Sequence, residues 1–415
     1  MKIAVVDWDI TYPTNSGKRL RTLNLMLQLA GRHEISYISR GIEQSREAIA
    51  AREFLGDHHI ETHFLNHPVP KKSGAGYVFR LLSNVPSSLP FAVAAHQGTE
   101  FRKCFTEFAS RHPVDVWQLE WTPYSTMLQS ISPTPRLVVA HNVDSLIWKR
   151  YYETESRPFL KSYIRHQYLR FERFERDAFA SASRVVAVSE PDAALMRQMF
   201  AIDHVDVVDN GVDVEHYGNM VRRPRRGEIL FLGSLDWRPN QDALRLLIDD
   251  IMPRVIAQEP DARLHIVGRN PGTWLTDRAA ACSEISLHAN VPDVQPYLET
   301  AAMMVIPLRI GGGSRLKMIE AMAARVPVVA SAVAAEGLCV TAQEHFALAD
   351  TPDAIAAAVV HWIRHPEEAA AMAVRGQRLT SVYYGWDRLA DKLEDSLHRC
   401  VSSATSPPSR TLASV

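Results

Sequence analysis

The chain has 415 residues and a formal net charge of −1, with 46 Lys and Arg against 47 Asp and Glu. At roughly 100–200 residues per domain that length holds two or three domains, and 46% hydrophobic with 22% charged residues is the profile of a soluble globular protein. Balanced charge argues against a dedicated nucleic-acid binder, no apolar run approaches the roughly 20 residues of a membrane span, and four dispersed cysteines exclude a disulfide scaffold or a cysteine zinc cluster and fit a reducing cytoplasm.

Short apolar runs alternate with longer segments of helical period from the first residues onward, with no signal-peptide cleavage pattern. Strands are predicted at Ile3–Asp7, Glu34–Ile38, Thr62–Leu65, Val114–Leu119, Arg136–Ala140, Val185–Val188 and Val205–Val208, with helices such as Arg19–Gly31 and Tyr163–Ala182 between them. Most of these runs are continuously apolar rather than alternating, as parallel strands buried on both faces require. The segment Val69–Val93 is less regular. Lys71, Lys72 and Arg80 mix there with Tyr77, Phe79, Leu82, Val85 and Phe91, which suits either a helix covering the core or one lying on a membrane surface.

At Met220–Gly227 the rhythm breaks in a polar, basic stretch that reads as a linker. A second series follows, with strands at Ile229–Leu232, Leu264–Val267, Ile285–Leu287, Met303–Pro307, Val326–Ala330 and Phe346–Leu348 and helices such as Gln241–Ala257 and Ser314–Ala324. Repeated βα units imply an α/β fold of two doubly wound, Rossmann-like domains, 1–222 and 223–385. A last helix at 386–400 precedes a Ser/Pro/Thr-rich tail at 401–415 that is expected to be disordered.

The strongest chemical signal runs from Gly311 to Ala324, directly after a buried strand. Gly311, Gly312 and Gly313 permit close approach of backbone to a ligand. Ser314 is a good N-cap, and Leu316, Ile319 and Ala323 share one apolar helix face. Arg315 and Lys317 fall in the first turn, where the positive end of the helix dipole disfavours cations. Lys317 also takes the place where a Glu would complete a capping box. Both choices make sense if a phosphate or diphosphate occupies the site. Glu320 follows one turn on, placed to accept hydrogen bonds from ligand hydroxyls. A glycine-rich loop before a solvated helix with a Lys317–Glu320 pair explains the glycines as well, but not the two cations. The stretch is not a Walker A loop, and no GxGxxG follows the first strand. There, Gly17 precedes Lys18-Arg19-Leu20-Arg21 and could offer one more N–H to an anion.

Several separate stretches resemble the retaining glycosyltransferases of GT-B fold, family 4 (group 1). They are Ala140–Val143, Val186–Glu190 and Asp209–Asp213 in the first half, and Phe231–Asn240, Leu264–Asn270, Val291–Leu298 and Ala301–Pro307 in the second. Order and spacing match over nearly the whole chain, which looks most like bacterial enzymes building exopolysaccharide or surface glycans. The resemblance implies two Rossmann-like domains facing a central cleft, the first on the acceptor side and the second binding a nucleotide sugar, with the final helix crossing back to the first. It places Glu320 at the second Glu of the family's E-x7-E motif, which holds the ribose. The first Glu falls at Gly312, so that carboxylate is missing, and the Gly312 and Gly313 amides are expected at the sugar or diphosphate. Ser234 and Asn240 stand near the places of a diphosphate-binding Arg and Lys. Arg315 and Lys317 are the expected substitutes, with Arg238 a further candidate. His141 matches a histidine facing the donor sugar, Gly17 and Arg21 match a loop beside the phosphates, and the Val291–Asp293 backbone is where similar proteins meet the base.

The implied reaction moves a sugar from a nucleotide-diphosphate donor to a hydroxyl of a saccharide or lipid-linked acceptor, with the anomeric configuration retained. His141, Arg315 and Lys317 are the catalytic candidates. Gly17, Arg21, Arg238, Gly312, Gly313, Ser314, Arg315, Lys317 and Glu320 are the candidate nucleotide-sugar contacts. No metal or cofactor is implied, since fixed cations stabilise the leaving diphosphate. Asp7-Trp8-Asp9 spells the DxD pattern that binds a metal in a different glycosyltransferase fold, but it ends a Rossmann-like strand. No close metal-ligand spacing occurs among the 17 histidines. A cytoplasmic protein, associated peripherally with the cytoplasmic face of the membrane and without a nucleic-acid partner, is expected. A nucleotide-sugar epimerase of the same fold, a sugar-phosphate phosphorylase and a non-catalytic nucleotide-sugar-binding protein remain as alternatives.

Overall fold

The computed structural model describes residues 1–14, 16–66, 74–96, 98–310 and 316–405. The chain divides into two compact units, one of Met1–Asp209 with the C-terminal segment from Leu389, the other of Asn210–Arg388.

In the first unit, the predicted strands become β1 (Lys2–Asp7), β2 (Glu34–Gly41), β3 (Ile60–Asn66), β4 (Val116–Leu119), β5 (Arg136–Ala140), β6 (Arg184–Ala187) and β7 (Val205–Val207). They form one parallel sheet in the order β3-β2-β1-β4-β5-β6-β7, with Asp7 opposite Ser39 of β2 and Val6 opposite Leu119 of β4. Ala4, Val6, Trp117, Leu119, Val138 and Val185 pack there against Phe101, Phe105 and Phe179 from the helices. The second unit holds β8 (Glu228–Leu232), β9 (Arg263–Gly268), β10 (Ile285–Ala289), β11 (Met303–Ile306), β12 (Val328–Ala330) and β13 (Ala347–Leu348), parallel in the order β10-β9-β8-β11-β12-β13. Each strand predicted from hydropathy has its counterpart. Both sheets are doubly wound, and strand order reverses between β1 and β4 and between β8 and β11, the switch points outside which open α/β sheets bind ligands.

The structure departs from the sequence-based expectation in several elements, among them the helix expected at Tyr163–Ala182, which runs from Pro158 to Ala180. The helix expected at Gln241–Ala257 begins earlier, at Arg238, because Pro239 is tolerated in a first turn. It then passes through a π-helical turn at Leu247–Ile251 before Met252–Ile256, just ahead of Pro253, which lacks an N–H and crowds the preceding turn. The last helix runs from Trp386 to Thr405, so 401–405, expected in the tail, continue it, and 406–415 lie outside the described residues. Leu389, Leu393, Leu397 and Cys400 form its buried stripe.

The basic stretch expected as a linker at residue 222 belongs to the second unit, which starts at Asn210. The Arg222 guanidinium donates to the carbonyls of Leu298 and of Ala301, the latter at 2.6 Å, and the backbone N–H groups of Arg223 and Arg225 donate to Glu299 and Thr300. A cation thus satisfies carbonyls left over at the end of helix Gln295–Thr300. Hydropathy shows only a polar run there.

Candidate active site

In the first unit, β1 ends at Asp7, β4 runs into Glu120 and β5 into His141, so three polar groups gather at the carboxyl edge around the switch point. Asp7 is buried. Its Oδ1 accepts the Trp8 N–H at 2.6 Å and the Lys18 ammonium. Lys18 also reaches Asp9 at 2.9 Å, while Arg19 donates to Asp9 at 2.9 Å and to Glu47 at 2.6 Å. Burial drives the Asp7 carboxyl above the usual range, and Lys18 pulls against it. The carboxylates of the Asp7-Trp8-Asp9 pattern are therefore engaged by the cations that open helix Gly17–Ala30. Gly17 is the first residue of that helix. Its N-terminus is capped by Ser16, whose hydroxyl accepts the Arg19 N–H at 3.3 Å.

Glu120 is buried and accepts from His141 Nε2 at 3.0 Å, Gln118 Nε2 at 2.6 Å and the Thr22 hydroxyl at 2.9 Å. Burial alone would raise its pKa. The His141 and Gln118 hydrogen bonds and the Arg21 charge outweigh it, holding the carboxyl down at about 2. Burial keeps the His141 imidazole below its ordinary value, against the pull of Glu120 and with Arg21 and Lys18 adding to the effect. At neutral pH the pair is a neutral imidazole donating Nε2–H to a carboxylate, which makes Nδ1 the ring's acceptor. Glu120 was absent from the sequence candidates. The signal for it is an acid directly after the strand Val116–Leu119.

Arg21 requires a correction. It is 1% exposed, and its guanidinium donates to the Val208 carbonyl at 2.8 Å and to that of Asp209. Its place in the second turn of helix Gly17–Ala30 faces the core, so it pins the end of β7 instead of reaching for a phosphate.

In the second unit, Gly311, Gly312, Gly313, Ser314 and Arg315 lie outside the described residues. The helix that follows them runs Leu316–Ala323 and buries Leu316, Met318, Ile319 and Met322. Lys317 turns toward the end of β8, donating to Asn240 Oδ1 at 2.6 Å and lying 4.7 Å from the centre of the Phe231 ring. Gly233 makes the room for it, since a Cβ there would stand 2.9 Å from Lys317 Nζ and 2.8 Å from Asn240 Nδ2. The Asn240 amide is buried and donates to the Ser234 carbonyl at 2.8 Å, so one side chain orients both loop and lysine. Sequence reading placed Asn240 near where a diphosphate-binding cation would stand; here it accepts a hydrogen bond from one cation, Lys317.

Glu320 lies one turn beyond Lys317 and hydrogen-bonds the Tyr217 hydroxyl from helix Val214–Gly218. Burial pushes the Glu320 carboxyl up to about 7, against Tyr217 and Lys317, which favour its ionised form. Tyr217 went unnoticed in the sequence, where it carries no pattern of its own. Arg238 is exposed at the start of helix Arg238–Leu246. A further cation ends β9: Arg269 donates through Nε to the Ser234 hydroxyl at 3.2 Å. The Val291–Asp293 segment follows β10, and Asp293 accepts the Gln295 N–H at 2.9 Å. The second unit's carboxyl edge thus offers a cation, Lys317, beside a carboxyl, Glu320, that can take neutral hydroxyls. Those are the needs of a diphosphate attached to a ribose.

Two family profiles match the chain: Glycosyltransferase Family 4 over residues 20–216 and Glycosyl transferases group 1 over residues 226–365. Over 378 residues the chain is 21% identical to an uncharacterised 44.6 kDa protein in the cps region of Klebsiella pneumoniae, covering 88% of this chain and 91% of that one. It is 28% identical over 161 residues to a GDP-mannose:cellobiosyl-diphosphopolyprenol alpha-mannosyltransferase of Xanthomonas campestris, a match spanning 37% of this chain and 41% of that enzyme. Among solved structures, Anabaena HepE in complex with UDP and glucose superposes with a TM-score of 0.66 at 15% identity, covering 96% of this chain and 99% of that one.

Proposed function

Because this chain belongs to the GT-B glycosyltransferases of group 1 and family 4, we propose that it moves a sugar from a nucleotide-diphosphate donor to a hydroxyl of a saccharide or lipid-linked acceptor, retaining the anomeric configuration, in bacterial polysaccharide biosynthesis. The observation that carries this reading is Lys317, held over Gly233 by Asn240 with Glu320 one turn away. The GDP-mannose named for the Xanthomonas relative and the UDP and glucose bound in the Anabaena structure support it.

In the reaction, the bond from the sugar's anomeric carbon to the diphosphate oxygen breaks, and a bond to the acceptor oxygen forms on the same face. The acceptor's proton passes to the departing phosphate oxygen. Negative charge grows on that leaving group, so a cation fixed in advance stabilises the transition state more than the ground state. Lys317 takes that role, with Arg315 as its neighbour in sequence. Glu320 accepts hydrogen bonds from the ribose hydroxyls. His141, its ring anchored by Glu120, accepts through Nδ1 from a hydroxyl of the donor sugar. No metal ion is assigned to the reacting centre, in keeping with the engagement of Asp7 and Asp9 by Lys18 and Arg19.

A lipid-linked acceptor suits the helix Ala75–Ser83. None of its residues is buried, and it leaves Phe79 72% and Leu82 65% exposed next to Arg80. Among the described residues no helix is long and apolar enough to cross a membrane. Contact through this face would be peripheral, at the cytoplasmic surface. Lys71 and Lys72 of the same expected segment lie outside the described residues. Flotation with vesicles of anionic lipid should carry the chain, and Phe79→Ser with Leu82→Ser should leave it in solution.

The primary test is a thermal-shift panel of UDP-, GDP-, dTDP- and ADP-sugars, with and without EDTA. A ligand at 100 times its Kd adds about 2.7 kcal/mol to stability. One base should shift the melting temperature selectively, and the shift relative to a sugar-free control should survive EDTA. Product analysis then reads transfer and anomeric configuration. No shift with any nucleotide would sink the donor assignment.

A further inference from the structure

A second group of ligating side chains lies apart from those assigned to the reaction, on the edge of the first sheet. β3 is the outermost strand, bonded to β2 alone. Glu61 and His63 are two positions apart on it and so share one face. His112 follows directly after helix Thr99–Arg111. A carboxylate oxygen of Glu61 and one ring nitrogen from each histidine all lie within 4.8 Å of one another. Aromatic packing holds the two imidazoles. The His63 ring centre is 5.0 Å from that of His112 and 4.8 Å from that of Phe108, and Phe108 stacks on His112 at 4.4 Å.

The hydrogen bonding of His112 sets up one ring nitrogen as a donor of its lone pair, and the spacing at His63 suits a shared ion. His112 Nδ1 is 3.2 Å from the Phe108 carbonyl oxygen, a partner that only an N–H can satisfy. The ring proton therefore sits on Nδ1 and Nε2 keeps its lone pair, the same arrangement by which an outer hydrogen bond orients a metal-binding histidine. His63 Nε2 is sealed from solvent, and its neighbour is Glu61 Oε1 at 3.1 Å. Two atoms bound at about 2.0–2.2 Å to a tetrahedral zinc ion stand about 3.3 Å apart. The Glu61–His63 spacing is thus close to one edge of such a tetrahedron. The other Glu61 oxygen is 3.4 Å from the Ser36 hydroxyl.

We propose that Glu61, His63 and His112 bind a divalent transition metal of the zinc class, with water as fourth ligand. Two imidazoles and one carboxylate suit zinc better than magnesium or calcium, which prefer all-oxygen sets. The ion ties edge strand β3 to the end of helix Thr99–Arg111, bracing a strand with one unpaired side. It takes no part in sugar transfer, since none of its ligands is a group assigned to the donor.

The test uses the untagged full chain, stripped with EDTA and titrated with Zn²⁺ by calorimetry and with Co²⁺ by visible spectroscopy. A single saturable site is expected, with the intense bands of tetrahedral Co²⁺ displaced by Zn²⁺ and a melting temperature that rises with the metal. Glu61→Gln should weaken Zn²⁺ binding roughly tenfold or more, and His63→Gln with His112→Gln should abolish the bands. The exposed Glu61→Gln change keeps the test decisive should loss of both rings disturb folding. Absence of a saturable site overturns the proposal. So does a site untouched by these substitutions, which would put the ion elsewhere, for example at the His265–His288 pair with its 3.1 Å nitrogen contact.

Discussion

At the carboxyl edge of the first sheet, Lys18 and Arg19 sit against Asp7, Asp9 and Glu47, and Glu120 sits against His141. At the corresponding edge of the second sheet, Lys317 is steadied by the Asn240 amide and the Phe231 ring. Lys18 and Arg19, as opposite charges in contact with their carboxylates, fix their positions and cancel much of their field, and the His141 N–H is fixed by a hydrogen bond. An amide oxygen and an aromatic face direct an ammonium group without adding a negative charge. The first arrangement therefore builds shape and holds an imidazole ready, and the second presents charge to an anion. Substitutions should separate these two kinds of edge, the first through stability and the second through turnover.

The largest effect is expected at Lys317. Lys317→Met should lower kcat about 10²–10³-fold, the usual loss when one fixed group facing a developing negative charge is removed, with the melting temperature little changed. A turnover within a few-fold of wild type would erase the contrast. Glu120→Gln should act mainly on stability. Its folded pKa of about 2 lies below the ordinary 4.5, so the ionised carboxylate stabilises the folded chain above pH 4.5, and that contribution is lost as pH falls from 4.5 toward 2. The variant should lose it at pH 7 and show a flatter acid limb in urea unfolding. Turnover should fall as well, because His141 loses its anchor.

Arg21→Met sharpens the comparison by about 2 kcal/mol, the scale of losing charged hydrogen bonds to two buried carbonyls. Nucleotide-diphosphate affinity should stay unchanged in a direct titration; a weaker affinity would return Arg21 to the phosphate site. The smallest effect concerns Glu320, whose folded pKa of about 7 lies above the ordinary 4.5. An acid with a raised pKa makes the free protein less stable as pH rises from 4.5 through 7, so Glu320→Gln should flatten that decline. Ribose hydroxyls favour the ionised form. Nucleotide-diphosphate affinity should therefore rise about tenfold between pH 6 and pH 8 in the wild type and stay level in Glu320→Gln.

The strands were readable because parallel strands buried on both faces leave unbroken apolar runs, as at Val138–Ala140 or Val328–Ala330. The π-helical turn at Leu247–Ile251 was not, since the apolar stripe continues through it and only Pro253 marks the break. Lys317 and Glu320 stood out because a cation in the first turn and an acid one turn on depart from ordinary capping. Their partners did not. Asn240 and Gly233 lie about 80 residues away in the chain from Lys317, and Tyr217 about 100 from Glu320. Arg21 shows the converse error, because a basic residue near a helix start gives no sign of which way its side chain turns.

The sequence by itself determined two doubly wound α/β units, the family, and the helix that carries Lys317 and Glu320. These rest on periodicity, capping and motif spacing, which are properties of neighbouring residues. Only the tertiary structure decided which polar groups meet: Lys18 with Asp7, Glu120 with His141, Arg21 with the carbonyls that follow β7, and His112 with Glu61 and His63. Such pairings depend on which strand ends and helix termini the fold brings within a few ångströms. Residues far apart in the chain carry no local trace of that proximity.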